Sequence, residues 1–584
     1  MNSPAKTSRR AALLPVLLIL LALFHRLPLM QVREAQLPGD ETIYGIMGMH
    51  ILKGQFPIYY YGQAYLGTLE AYAVALLSFF MGMNGWTLQL SGFLFYALFM
   101  ATHFSLIKKI FGTQTAVFSS FLLIFPPVMF WELSVRALGY TSMLACGSLS
   151  FLLWFKVFAE RKHSYIFPFG LCLGAGLWLN PVFILYLPAL LLMTLFWHRG
   201  FRLRRKWLQM NWISFEGLKA PRWFKLLLGA ANVLFLTYLL KQLVVFFTGP
   251  MDFKFLGLDF SRPPFQWKGI KKLLPFVAAE GLLLAAAQGR KPFLIFLKRW
   301  WKLAAGFAAG YLPALIFNLT DGEGYRILHS KGLVGASEIL PKFKIMAVNF
   351  VACSTWGIRP DAVQNWSLEG YAGLAIVIFF IAAFIFYFLE HRESWKSLFK
   401  KGVREKGFFF CFFTATVLPM TFLSSLEADR YMAPFYWASC VAAGFFINSL
   451  AARSKKTAVF CLTVLMFYYS LEAGKYTSQY PARADIHGLI RVMEQENLRG
   501  GMTDYDHAYQ LSFYSGEKMV FIPLKGALRV PDYKTRVDTL DRKALVFDAD
   551  SAEEKEFLAS RPDFIPKEIK EFKHYRVYVD GAGA

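Results

Sequence analysis

Long apolar segments recur from residue 11 to about residue 471, and Lys and Arg gather in the short stretches between them. Inside a bilayer every backbone polar group must be satisfied internally, so runs of roughly 20 apolar residues read as spanning helices. The chain is 56% hydrophobic and 17% charged over 584 residues, which excludes an ordinary soluble enzyme. A formal net charge of +24 would suggest nucleic acid in a soluble protein. Here the excess sits in loops between apolar runs, where it reports topology, so no nucleic-acid partner is expected.

Basic short loops mark the cytoplasmic side. Lys108, Lys109, Lys156, Arg161 and Lys162 mark it early, the stretch 199–225 in the middle, and Arg290, Lys291, Arg453, Lys455 and Lys456 later. This rule predicts spans at 11–30, 90–107, 115–131, 139–158, 165–179, 182–198, 226–247, 273–287, 303–319, 371–389, 408–424, 432–450 and 457–471. The result is an all-α polytopic membrane domain, residues 1–472, of about thirteen transmembrane helices with its N-terminus cytoplasmic. The first segment resembles a signal peptide, but no small-residue cleavage site follows, so it reads as an uncleaved span. Two further segments, 42–53 and 65–82, read as interfacial helices, because a span at 65–82 would invert every later basic loop. The outer loop 320–370 is about fifty residues, too long for a plain connection. From residue 473 the composition turns polar. Helix-like stretches at 485–497 and 551–560, and strand-like stretches at 519–523, 544–548 and 574–579, predict a small C-terminal α/β domain on the outer face.

The polar groups next to apolar segments all fall on that outer face: Asp40, Glu41, Glu70, Glu132, Arg136, Asp429 and Arg430. A carboxylate partly desolvated at a membrane boundary can serve as a general base. Arg136 and Arg430 have the fork geometry that holds a phosphate, although Arg136 would equally anchor a helix end. Glu132 stands one turn from Arg136 at i,i+4 and is its expected partner. Tyr61 and Tyr65, in a run with Tyr59, Tyr60 and Tyr72, offer hydroxyls and flat rings that suit a sugar as well as an aromatic belt. The six cysteines show no CxxC spacing and the histidines no metal-ligand spacing. No P-loop, GxGxxG or GxSxG motif supports nucleotide-driven or hydrolase chemistry.

Four stretches together resemble a known family. They are PGDETIYGIMGMHILKGQFPIYYYGQAYLGTLEAY from residue 38, WTLQLSGFLFYALFMATHFSLIKKIFG from 86, VRALGY at 135–140 and EADRYMAPFYWA at 427–438. The chain resembles the GT-C superfamily of membrane glycosyltransferases, with the protein O-mannosyltransferases and the lipid A aminoarabinose transferases as the nearest branches. The tail stretch TDYDHAYQLSFYSGEKMVF resembles the soluble outer domain of some bacterial members. The resemblance implies a bacterial inner-membrane enzyme that moves one sugar from a polyprenyl-phosphate donor to an envelope acceptor (lipid, polymer or protein), with inversion. It makes Asp40 the catalytic carboxylate, with Glu41 supporting it. Arg430 and then Arg136 would take the donor phosphate, and Tyr61, Tyr65, Glu70 and Asp429 the substrate. Many members carry a Lys in an outer turn where this chain has Asn180-Pro181, which moves phosphate binding to the arginines. Asp40 and Glu41 could bind a divalent cation, but no full set of oxygen ligands stands beside them, so no metal or other cofactor is favoured. A transporter or flippase of lipid-linked sugars is the rival reading. It calls for mid-span charges and an internal repeat, and Glu280 is the clearest such charge, with no repeat evident. A non-catalytic assembly protein with the tail as its binding module is the third.

Overall fold

The computed structural model describes residues 4–197, 290–320, 368–392, 429–479 and 485–581, with scattered positions from 221 to 345. The expected spans 273–287 and 408–424, Glu280, most of the expected span 226–247 and most of the loops 199–225 and 320–370 lie outside the described residues. Seven described helices are long and apolar enough to cross a membrane: Leu13–Arg33, Gly85–Phe111, Tyr140–Ala159, Trp300–Thr320, Tyr371–Glu390, Arg430–Arg453 and Lys455–Ser478. Each coincides with an expected span. The expected spans at 115–131, 165–179 and 182–198 are shorter apolar helices, Thr113–Ile124, His163–Leu179 and Pro181–Thr194.

The chain forms two compact units that interleave in sequence. One comprises Met1–Leu18, Phe99–Phe130 and Met143–Tyr469. In it, α8 (Ile166–Leu179) packs along α10 (Arg290–Thr320) through glycines on both helices. A Cβ on Gly170 would stand 2.2 Å from the Leu303 carbonyl, and one on Gly174 2.2 Å from that of Phe307. Reciprocally, a Cβ on Gly310 would stand 2.1 Å from the Leu171 carbonyl. In lipid, helices associate by such close backbone approach, since the hydrophobic effect offers no preference for helix over acyl chain. Gly310→Ala is therefore expected to cost about 1–3 kcal/mol by overpacking, read as a fall in Tm of the detergent-solubilised protein. Gly474→Ala, whose Cβ would meet nothing within 4 Å, is the control and should leave Tm unchanged or raised. Elsewhere in this unit α12 (Ala433–Arg453) packs on α5 (Thr113–Ile124), with Gly444 against Ser119. The buried Trp437 donates its indole N–H to His103 Nδ1 at 2.8 Å.

The second unit comprises Ile19–Leu98, Trp131–Ser142 and Ser470–Ala584. After the end of α1 (Pro4–Arg33) comes α2 (Gly39–Leu52), then a hairpin of β1 (Tyr59–Tyr60) and β2 (Gln63–Gly67), then α3 (Leu69–Met81) and α4 (Gly85–Phe111). The hairpin replaces the first turn of the expected 65–82 helix. With no β-branched residue and a single aromatic, QAYLG pairs with Tyr59–Tyr60 once Gly62 supplies a turn at φ 69°. At 13 residues α3 is too short to span, and it leaves Leu76, Phe79 and Phe80 exposed, as an interfacial helix does.

The tail folds as a five-stranded sheet in the order β6-β5-β7-β9-β8. Its strands are β5 (Gly500–Thr503), β6 (Val520–Pro523), β7 (Arg542–Asp548), β8 (Glu568–Phe572) and β9 (Tyr575–Gly581), numbered after a short pair β3 (Lys254–Phe255) and β4 (Leu258–Asp259) in the first unit. β5 runs parallel to β6 and β7, and β9 is antiparallel to β7 and β8. Leu489, Leu511, Phe521, Val546 and Val577 are central to the core. Its helices Ile486–Gln495, Tyr505–Tyr514 and Ala552–Ser560 each begin on a side chain that caps the first turn, from Asp485, Asp504 and Ser551. The helix Tyr505–Tyr514 was not expected from sequence, and it is the one that packs on α2.

Candidate active site

Pro38 enters α2, and Asp40 and Glu41 occupy its first turn, where the helix dipole favours negative charge. Neighbours on a helix point about 100° apart, and here the two acids face different company.

Glu41 is fully buried. Its Oε1 lies 2.5 Å from Arg33 Nη2 and 2.7 Å from Arg136 Nε. Glu132 Oε1 closes the group at 3.6 Å from both arginines, and Tyr476 donates to Glu132 Oε2 at 3.0 Å. Among the described residues two acids thus face two arginines, Glu41 and Arg33 buried and Glu132 and Arg136 partly exposed, with Gln89 accepting from Arg33 at 3.3 Å. The expected pairing of Arg136 with Glu132 is present, but Glu41 is the nearer acid. Glu41 is therefore engaged with Arg136 and Arg33, not with Asp40.

Asp40 is partly exposed. Its Oδ1 accepts from Tyr505 Oη at 2.7 Å and from Tyr60 Oη at 3.3 Å, while Tyr60 also reaches the Asp40 carbonyl at 3.1 Å. Among the described residues nothing bonds Oδ2. Tyr505 is held in turn by Arg529 Nε at 3.0 Å. Burial, and beside it the Asp40 carboxylate, push the Tyr505 phenol up, so it stays protonated and donates. The Arg529 guanidinium lies 5.7 Å from the Tyr60 ring centre and 5.8 Å from that of Tyr505, and reaches the Gly62 carbonyl at 3.3 Å. With its amide oriented to suit its neighbours, Gln63 accepts from Arg529 at 2.6 Å and donates to Tyr65 Oη at 3.1 Å.

Tyr61 is spent elsewhere. Its hydroxyl meets His50 Nδ1 at 2.7 Å, and His50 Nε2 meets Glu517 at 2.8 Å. Lys53 and Tyr533 also bond Glu517, at 2.6 and 2.9 Å. Burial raises the Glu517 carboxyl, but the bonds from His50 and Lys53 outweigh it and hold the group down at about 2. Burial pushes Tyr61 up to about 12. Glu70 is buried and accepts from the Gly139 N–H at 2.7 Å, Thr141 Oγ1 at 3.2 Å and the Ser142 N–H at 3.3 Å. Burial raises its carboxyl and those bonds oppose it. Its observed task is to hold the 139–142 backbone, where Gly139 turns at φ 77°.

Asp429 and Arg430 lie in the first unit, in a single turn Asp429–Met432 that leads into α12. Arg430 is exposed, with its guanidinium 5.5 Å from the Tyr431 ring centre. Among the described residues no three His, Cys, Asp or Glu side chains gather as a metal site would require. Arg33, Gln63, Tyr505 and Arg529 were missed from sequence. Arg33 carried a usable signal, a cation closing an apolar run just before an acid pair.

No protein-family model matches the chain, and no curated protein matches it. Among solved structures it is similar to ArnT from Cupriavidus metallidurans bound to undecaprenyl phosphate, at 13% identity and TM-score 0.39, over 97% of this chain and 98% of that one. It is also similar to the oligosaccharyltransferase AglB from Archaeoglobus fulgidus in complex with an inhibitory peptide and a dolichol-phosphate, at 13% identity and TM-score 0.47, over 93% of this chain and 70% of that one. At these scores the likeness assigns no role to any residue of this chain.

Proposed function

We propose that the chain is a membrane glycosyltransferase of GT-C type in the bacterial inner membrane. It moves a sugar from a polyprenyl-phosphate donor to an envelope acceptor on the outer face, with inversion. The observation that carries this reading is Asp40, one oxygen pinned by two tyrosine hydroxyls and the other open.

In the proposed reaction the acceptor hydroxyl gives its proton to Asp40 Oδ2 as its oxygen bonds the anomeric carbon. The bond from that carbon to the phosphate oxygen breaks, and its electron pair leaves with the polyprenyl phosphate. Transfer of that proton as the bond forms lowers the barrier. Positive charge on the sugar ring is offset by the carboxylate, and charge on the leaving phosphate by arginine. Arg136, oriented by Glu41 and Glu132 and partly exposed, is one such arginine. Arg430 is the other, on the strength of its sequence context alone. The partly buried Tyr65 remains a candidate for the sugar hydroxyls, with Asp429 assigned there from sequence only. No metal takes part in this scheme.

The full-length chain in proteoliposomes, given a lipid-linked sugar extract and an envelope extract of the source cell, should release free polyprenyl phosphate, read by mass spectrometry. Movement of lipid-linked sugars across the bilayer with no such release would replace this reading with the flippase.

A further inference from the structure

The C-terminal domain reaches Asp40 through a directed chain of hydrogen bonds. Arg529 Nε can only donate, so at 3.0 Å it takes a lone pair of the Tyr505 oxygen. The phenol proton is then left for Asp40 Oδ1, 2.7 Å away. The Arg529 end is itself fixed, since its backbone N–H donates to Tyr509 Oη at 2.6 Å and its guanidinium to the Gly62 carbonyl. The register between the two helix starts is equally constrained. The Gly39 N–H donates to Asp506 Oδ1 at 2.7 Å, and a Cβ on Gly39 would stand 2.9 Å from that oxygen and 3.1 Å from the Tyr505 carbonyl. Tyr505 is the first residue of its helix, and the Asp504 cap accepts from the N–H groups of Asp506 and His507 at 3.0 and 3.1 Å.

We infer that Tyr505 and Arg529 are positioning residues for Asp40, acting in series to hold the carboxylate with Oδ2 turned to the acceptor. This rests on the glycosyl-transfer reading above. A contact that only docks the tail would need the ring of Tyr505 but not its hydroxyl. Misplacing a reacting group by about 1 Å can cost on the order of 100-fold.

The test uses full-length variants in proteoliposomes with the same two extracts, reading polyprenyl phosphate release, and undecaprenyl phosphate as the binding probe. Tyr505→Phe should slow release by about 10–100-fold with probe binding unchanged. Arg529→Met should slow it comparably, Arg529→Lys less, and Arg529→Met should cost nothing further in the Tyr505→Phe background. Wild-type release from Tyr505→Phe, or losses that multiply in the double variant, overturns the inference while an inactive Asp40→Asn keeps the glycosyl-transfer reading. Full release from Asp40→Asn removes Asp40 from the reaction and overturns the inference, whereas no release from the wild type overturns the glycosyl-transfer reading. Should Tyr505→Phe fail to accumulate, Arg529→Lys against Arg529→Met decides: equal release from the two overturns the inference.

Discussion

Asp40→Asn is expected to lower polyprenyl phosphate release by about 10²–10⁴-fold, the usual contribution of a general base, with the protein still folded and inserted. Asn keeps an oxygen that can accept from Tyr505 and Tyr60, so the local hydrogen bonds survive. What it loses is the ability to take a proton at the position of Oδ2. A melting temperature equal to that of the wild type, alongside the loss, separates chemistry from folding. Undiminished release would remove Asp40 from the reaction.

The largest stability effect is expected at the neighbouring residue. Glu41→Leu takes one acid out of a group of two acids and two arginines and leaves a buried positive charge unbalanced. Breaking a buried ion pair by removing one partner costs about 3–5 kcal/mol. Tm of the solubilised full-length chain should fall by several degrees or the protein should fail to accumulate. Arg33→Met in the same molecule restores the charge balance and should recover part of the loss. If the double variant is as unstable as Glu41→Leu, lost packing is the cause, and the unpaired charge is not.

Much of the membrane part is legible in the chain. The seven long apolar helices among the described residues follow from runs of hydrophobic residues, because a bilayer accepts little else. The tail helices at Ile486–Gln495 and Ala552–Ser560 are legible too, one from its apolar face and both from their caps. The helix Tyr505–Tyr514 was not legible. It is rich in tyrosine and polar residues, and the rest of its buried face is covered by α2 and the chain just before it: Phe513 lies against Gly45, and Gln510 donates to the Leu37 carbonyl at 2.9 Å. The pair β1 and β2 escaped for a related reason, since two- and five-residue strands hold only where the surrounding chain supports them.

The sequence alone determined that the chain carries bilayer-length apolar helices, that a polar α/β tail follows them, and that an acid pair stands at the head of a short helix. It did so because hydropathy, periodicity and capping act over a few neighbouring residues. Only the tertiary structure decided which acid of the pair meets arginine and which meets tyrosine. That choice depends on the direction of a helix face and, beside the nearer Arg33 and Tyr60, on Arg136, more than 90 residues from Glu41, and Tyr505, more than 460 from Asp40, and no local preference encodes those distant contacts.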